Sequence, residues 1–231
     1  MGERSDLLSG ASFEAALAAL LYDERARARL RTGEADDLRF LTLDVDEVDE
    51  AARGVRRMVR ERTHRGTGGL EDWFPKTLAA WRIAHPEDEE LDGLLTLFCA
   101  SPSCSTWREY GSGVSLEEAL YRFWLAAGVA DQETVEEEFL AAIVRALAIS
   151  PGARFERPNA LSDAPGGCYA VSRRGVLHAS LDGKYVHGAL TPLVVELLGG
   201  VAPDDIARRH RVGLEQVADV TRALRAKGLL P

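Results

Sequence analysis

The chain has no apolar run approaching the ~20 residues that a helix needs to cross a bilayer. Its opening residues, Met1-Gly2-Glu3-Arg4-Ser5-Asp6, are polar and acidic, and no secretory leader is expected. Cysteine is scarce. Cys99, Cys104 and Cys168 are an odd number without repeated close pairs, which excludes a disulfide framework and points to a reduced, cytoplasmic setting. The five histidines, His64, His85, His178, His187 and His210, show no His-x-x-x-His spacing, and Cys99 and Cys104 are the one near pair, so no metal set is nominated. Gly-x-Ser-x-Gly, a phosphate-binding loop and a dinucleotide fingerprint are all missing. Gly66-Thr67-Gly68-Gly69 follows no strand and is followed by no Lys-Ser/Thr, and reads as an interhelical loop. No catalytic residue and no cofactor is therefore assigned to this chain, which is expected to be non-catalytic.

Positive charge is also short, and unevenly spread. Over 231 residues the net charge is −9. Residues 1–150 carry 17 Lys+Arg against 29 Asp+Glu, whereas residues 151–231 carry 11 against 8. An acidic majority disfavours nucleic acid, whose affinity comes chiefly from neutralised phosphates. The mildly basic C-terminal part suits an acidic peptide instead.

What is present is mostly helical periodicity. Phe13, Ala16, Leu17, Leu20 and Leu21 predict one helix from Ser12 to Arg31, stopped by Gly33. Asp44 caps a second helix through Val59, a third spans Leu70–Ile83 with Pro75 near its first turn, and a fourth spans Glu87–Cys99 after Pro86. Residues 101–111 read as a loop carrying Trp107, Arg108 and Tyr110, either an exposed contact of the kind enriched at binding hot spots or a lid over the helical core. Ser115-Leu116-Glu117-Glu118 is a capping box, and Asp131 caps a last long helix whose Glu136-Glu137-Glu138 run reads as a solvated face. Residues 1–150 thus form a helical domain and 151–167, with Pro158, Pro165, Gly166 and Gly167, a linker.

Residues 168–231 read as a small winged-helix-like α+β module, a three-stranded antiparallel sheet followed by three helices. The strands are Cys168–Ser172, Val176–Ser180 and Tyr185–His187, and Asp182-Gly183 is a type I′ hairpin signal. The helices are Thr191–Leu198, one starting at Pro203, and Leu214–Lys227, with Gly228 as the stop. Such a helix-turn-helix invites a reading as a DNA-binding transcriptional regulator. Here, however, the hairpin precedes the helices, and the third helix opens on Leu214-Glu215-Gln216 with Asp219 behind, unwelcome beside phosphates. Strand addition is the alternative. Lys184, Tyr185, Val186 and His187 form the expected edge, and helix three the other wall, with Leu214, Val217 and Leu224 inward. Val220, Ala223 and Lys227 flank it on one side, Ala218 and Arg225 on the other. Val186→Pro is expected to remove a donor from that edge.

The stretch from Val176 to Pro231 resembles the PqqD-like recognition element of pathways that modify ribosomally made peptides. The carrying residues are Val195-Glu196-Leu197-Leu198-Gly199-Gly200, Ile206-Ala207, and the close Ala223-Leu224-Arg225-Ala226-Lys227-Gly228-Leu229-Leu230. The helical part resembles partner proteins of multinuclear non-heme iron-dependent oxidases at Trp73-Phe74-Pro75-Lys76-Thr77, Leu94-Leu95-Thr96-Leu97-Phe98, Tyr110-Gly111 and Ser115–Leu120. The resemblance implies a precursor leader peptide added as a strand beside the third strand and third helix. It also implies a heterodimer with the oxidase, which would hold the iron, contacted through Trp107, Arg108 and Tyr110.

Overall fold

The structure is a computed structural model that describes residues 10–34, 44–61, 68–109, 112–150 and 161–231. Helices dominate. Gly10–Tyr22 (α1) and Glu24–Thr32 (α2) replace the single helix expected there, because Asp23 adopts extended backbone and its carboxylate accepts from Arg25 N–H at 2.9 Å. A carboxylate that can cap the following turn competes with helix continuation. Val45–Glu61 (α3) begins after Asp44, as expected, with the Asp44 carboxylate accepting from Asp46 N–H. Pro75 splits the next predicted helix into Leu70–Trp73 (α4) and Pro75–Ala84 (α5). The ring clashes with helical backbone at the preceding residue, and Phe74 accordingly leaves the helical region.

Asp92–Cys99 (α6) starts five residues later than the expected Glu87. The Asp88 carboxylate explains the delay. It accepts from Gly93 N–H and Leu94 N–H at 2.9 Å each and from Trp81 Nε1–H at 3.0 Å, so the turn before α6 is organised around a side chain. The segment expected as a loop forms a helix, Pro102–Arg108 (α7), with Ser101 Oγ accepting from Cys104 N–H and Pro102 in the first turn. Leu116–Ala127 (α8) and Gln132–Ile149 (α9) begin at the expected caps, Ser115 and Asp131. The Glu118 carboxylate, however, binds Arg122 rather than closing a capping box.

The core of this part joins Trp73, Phe74, Trp81, Phe98, Phe123 and Trp124 to the apolar face of α9, including Phe139 and Ile143. The acidic run of α9 is not a solvated face. Glu136 pairs with Arg173 and Glu137 with Lys76, and Glu138, only 6% exposed, accepts from Lys76 N–H (2.6 Å), Thr77 N–H (3.1 Å) and Thr77 Oγ1–H (2.6 Å). A carboxylate from α9 thereby fills the N-terminal anion site of α5, left open by the break at Pro75.

The C-terminal sheet has four antiparallel strands rather than three, in the order β1 (Ser162–Ala164), β2 (Gly167–Val171), β3 (Val176–Leu181), β4 (Lys184–Ala189). The additional strand lies within the segment read as a linker, where Pro165-Gly166 makes the turn between β1 and β2. Residues 151–160 of that segment lie outside the described residues. Asp182 and Gly183 both have positive φ (49° and 74°), as a type I′ turn requires. Helices Pro192–Leu198 (α10), Pro203–His210 (α11) and Leu214–Ala226 (α12) follow.

The sheet is covered on both faces. Tyr169, Leu177 and Ala179 meet Leu197, Ile206, Val217 and Leu224 of α10–α12. On the other face Ala170 and Tyr185 pack on Leu140 and Val144 of α9, and Cys168 joins the helical core. α9 is therefore shared by the helical part and the sheet. Leu214, expected inward, is 54% exposed, because it stands at the first position of α12 beyond the reach of the sheet.

Candidate functional site

The tight turn fixes which backbone groups of β4 are free. In a two-residue hairpin the residues flanking the turn exchange both hydrogen bonds, and every second pair after them does the same. With Leu181 opposite Lys184, Ala179 opposite Val186 and Leu177 opposite Gly188, those three β4 residues turn their N–H and C=O to β3. Tyr185, His187 and Ala189 turn theirs outward, and among the described residues no strand pairs that edge. The N–H of Val186 is thus a ladder donor rather than an edge donor, contrary to the expectation behind Val186→Pro.

Side chains divide the other way. Lys184, Val186 and Gly188 share the face of Leu177, Ala179 and Leu181, toward α12. There a cavity of about 710 Å³ runs between β4 and the C-terminal end of α12. Leu177, Leu181, Leu190, Leu224 and Leu229 make it apolar, and Val186 stands at its edge with 45% of its surface exposed. Lys184, Arg225 and Lys227 line it, and among the described residues Asp182 is the one carboxylate in its wall. Among the described residues neither lysine has an ion-pair partner, while Arg225 Nε–H donates to the main-chain oxygen of Pro231 at 2.7 Å. One end is closed by glycine against glycine. Gly166 N–H donates to Gly228 O at 3.0 Å, and a Cβ on Gly228 would lie 3.2 Å from Gly166 backbone. The φ of +70° at Gly228 turns the chain there, bringing Leu229 back under the groove.

Of the eight expected peptide-contact residues, Lys184, Val186, Arg225 and Lys227 line this cavity. Tyr185 and His187 lie on the opposite face. The Tyr185 ring stacks on His187 and lies under the Arg145 guanidinium of α9, and burial raises its phenol pKa. Val220 packs partly into the three-helix core and Ala223 is exposed on α12, neither of them in the cavity wall. Sequence reasoning missed the apolar floor, Leu177, Leu181, Leu190 and Leu229. The period-two register from Val186 back across the turn to Leu181 and Leu177 carried the signal for two of them.

The expected partner-contact residues are held differently from the expectation. Trp107 and Arg108 sit on α7 rather than in a loop. Trp107 packs half-buried against the helical core, and the Arg108 guanidinium lies 4.0 Å above the Tyr22 ring. Tyr110 lies outside the described residues. The helix-turn-helix surface is self-neutralised. Arg222 pairs with Asp219 on α12, Arg208 with Asp205 and Arg209 with Glu196 on α11 and α10. Among the described residues no group of three or more His, Cys, Asp or Glu is arranged to hold a metal ion, and no helix is long and apolar enough to cross a membrane. Compared with protein-family models, with curated proteins and with solved structures, the chain shows no match.

Proposed function

We propose that this chain is a non-catalytic recruitment protein that binds the leader of a ribosomally made precursor peptide along β4 and presents the peptide to a partner iron-dependent oxidase. The observation that carries this reading is the coincidence of a strand edge, paired by no described strand, with an apolar, cation-rimmed groove between β4 and α12. An extended peptide laid along Tyr185–Ala189 would complete the ladder and drop alternate side chains toward α12. Each ladder bond contributes about 1 kcal/mol net, and one Leu-sized side chain in the apolar floor about 2 kcal/mol. An exposed ion pair to Lys184 or Lys227 contributes at most ~1 kcal/mol. Backbone pairing and the apolar contact would therefore set affinity, and the lysines would set direction and encounter rate.

The resemblance of the helical part to oxidase partner proteins supports a heterodimer, with iron held by the oxidase. The exposed portions of Trp107 and Arg108 on α7, together with Tyr110, are the proposed contact. The α9 helix, shared by the helical core and the sheet, would hold groove and docking face in one frame.

Fluorescence anisotropy with a labelled leader peptide, encoded by a small open reading frame beside this one, tests the reading. Saturable binding that survives moderate salt is expected. Binding to duplex DNA with a steep salt dependence, and none to the leader, would overturn it in favour of a transcriptional regulator.

A further inference from the structure

Cys99 is the last residue of α6 and Cys104 lies in the first turn of α7. Ser101 makes the elbow between them, its Oγ–H donating to Phe98 O at 2.6 Å while Oγ accepts from Cys104 N–H at 3.2 Å. The elbow sets the two cysteines on either side of one turn of chain, with both side chains in the same buried cluster of the helical core. Their environments differ. Cys104 is fully enclosed. Cys99, 4% exposed, lines a cavity of about 590 Å³ between α1 and the α6–α7 elbow, together with Ala18, Tyr22, Thr96, Ser105 and Arg108. The hydrogen bond from Cys104 holds the Cys99 thiol pKa below the usual thiol range, against burial and with help from the guanidinium groups of Arg56, Arg108 and Arg27. The same bond, together with burial, pushes Cys104 up. The thiol that faces the cavity is placed to attack an incoming sulfur, and the enclosed one to resolve the product. Cys168 is buried on β2.

We propose that Cys99 and Cys104 form an oxidisable dithiol, a modification site that closes to an intramolecular disulfide when a small disulfide enters the cavity at Cys99. The Cys99 thiolate attacks one sulfur of the incoming disulfide, forming a mixed disulfide and expelling one small thiolate. Cys104 then loses its proton and attacks the Cys99 sulfur, which forms the Cys99–Cys104 bond and expels the second small thiolate. The two protein hydrogens leave on the two small thiols, the protein is oxidised and the small disulfide is reduced. α7 carries Trp107 and Arg108, so the new bond ties that surface to the end of α6.

The test incubates the folded full chain with oxidised glutathione, then denatures it, alkylates free thiols and maps tryptic peptides. Residues Ile83–Arg108 form one such peptide, which holds both thiols, and Cys168 falls on another. Two of the three cysteines are expected to escape alkylation, with the Ile83–Arg108 peptide lighter by two hydrogens and restored by dithiothreitol. Cys104→Ser is expected to stop at one glutathionyl group on Cys99, and Cys99→Ser to stay unmodified. Full alkylation of wild type after native treatment would overturn the proposal. Glutathionylation of Cys104 in Cys99→Ser as fast as that of Cys99 in Cys104→Ser would overturn the assigned order. The wild-type peptide map decides the matter even where a variant folds poorly.

Discussion

The Tyr185 hydroxyl lies 2.8 Å from Nδ1 of His178, between neighbouring strands and on the sheet face that α9 covers. The rings are nearly parallel, 16° apart. Burial opposes charge on both members, lowering the pKa of His178 and raising that of Tyr185. Glu137 of α9 favours the imidazolium, while His187, Arg145 and Lys76 oppose it, and the net effect on His178 is downward. A neutral pair thus joins β3 to β4 beneath α9.

That relationship makes the fold acid-sensitive. The unfolded chain protonates His178 near 6.5 and the folded chain only at lower pH, so in between the unfolded state binds the extra proton. The stabilisation is present above about 6.5 and is lost as pH falls through the folded value. Melting temperature is expected to drop from about pH 8 to about pH 5, and to drop less steeply in His178→Gln, which keeps a hydrogen-bonding side chain without the titration. Equal slopes in thermal scans of the two proteins would show that His178 does not carry the effect.

The Glu138 carboxylate offers a second measurement. Glu138→Ala strands two first-turn N–H groups of α5 and the Thr77 hydroxyl in a buried place. The expected loss is about 3 kcal/mol in urea denaturation, or roughly 6–12 °C of melting temperature for a chain of this size. Glu138→Gln keeps an acceptor and is expected to lose about 1 kcal/mol. A loss under ~1 kcal/mol in the alanine variant would mean that water replaces the carboxylate.

Local chemistry made much of this fold legible in the sequence. The Asp182-Gly183 turn, the caps at Ser115 and Asp131 and the stop at Gly228 all depend on residues within one turn of chain. Local signals also lay unread. Ser101-Pro102 is a helix start, yet Trp107 and the surrounding serines suggested a loop. What the sequence hid was long-range. Glu138 reads as solvated until α5 presents its N-terminus from residues 76 and 77, and β1 has only three residues and no periodicity of its own. The groove was half legible for the same reason. Its strand edge and cations follow from alternation and helix spacing, whereas Leu190 and Leu229 enter only because the chain turns back after β4 and after Gly228.

Gly167 is a stricter test of the sheet. Its φ is +147°, and an added Cβ would lie 2.1 Å from the Ser180 carbonyl oxygen, a backbone atom of β3 that cannot step aside. Gly167→Ala is expected to cost on the order of 3 kcal/mol or to prevent folding. Gly188, where a Cβ meets nothing within 4 Å, serves as the comparison. Gly188→Ala is expected to leave stability within about 0.5 kcal/mol of wild type. Comparable losses in both variants, measured by circular dichroism melts, would contradict the register of β2 on β3.

The register of β4 turns the proposed function into a contrast between two adjacent prolines. Val186 donates its N–H to Ala179 across the ladder, so Val186→Pro removes a bond internal to the hairpin and is expected to destabilise the sheet by about 2–3 kcal/mol. His187 points its N–H at the open edge, where proline is tolerated in strands, so His187→Pro is expected to change stability by less than ~1 kcal/mol. A leader peptide added along this edge needs that donor, and it passes close to the proline ring. Anisotropy titration of labelled leader is therefore expected to show at least a tenfold loss of affinity in His187→Pro with an unchanged melting curve. Lys184→Glu and Lys227→Glu, also without change in melting, are each expected to weaken binding of an acidic leader by a few-fold. If His187→Pro binds leader as wild type does while the two charge reversals weaken it, the peptide sits in the groove without joining the sheet. If all three bind as wild type, the leader uses another surface and the assignment of β4 falls.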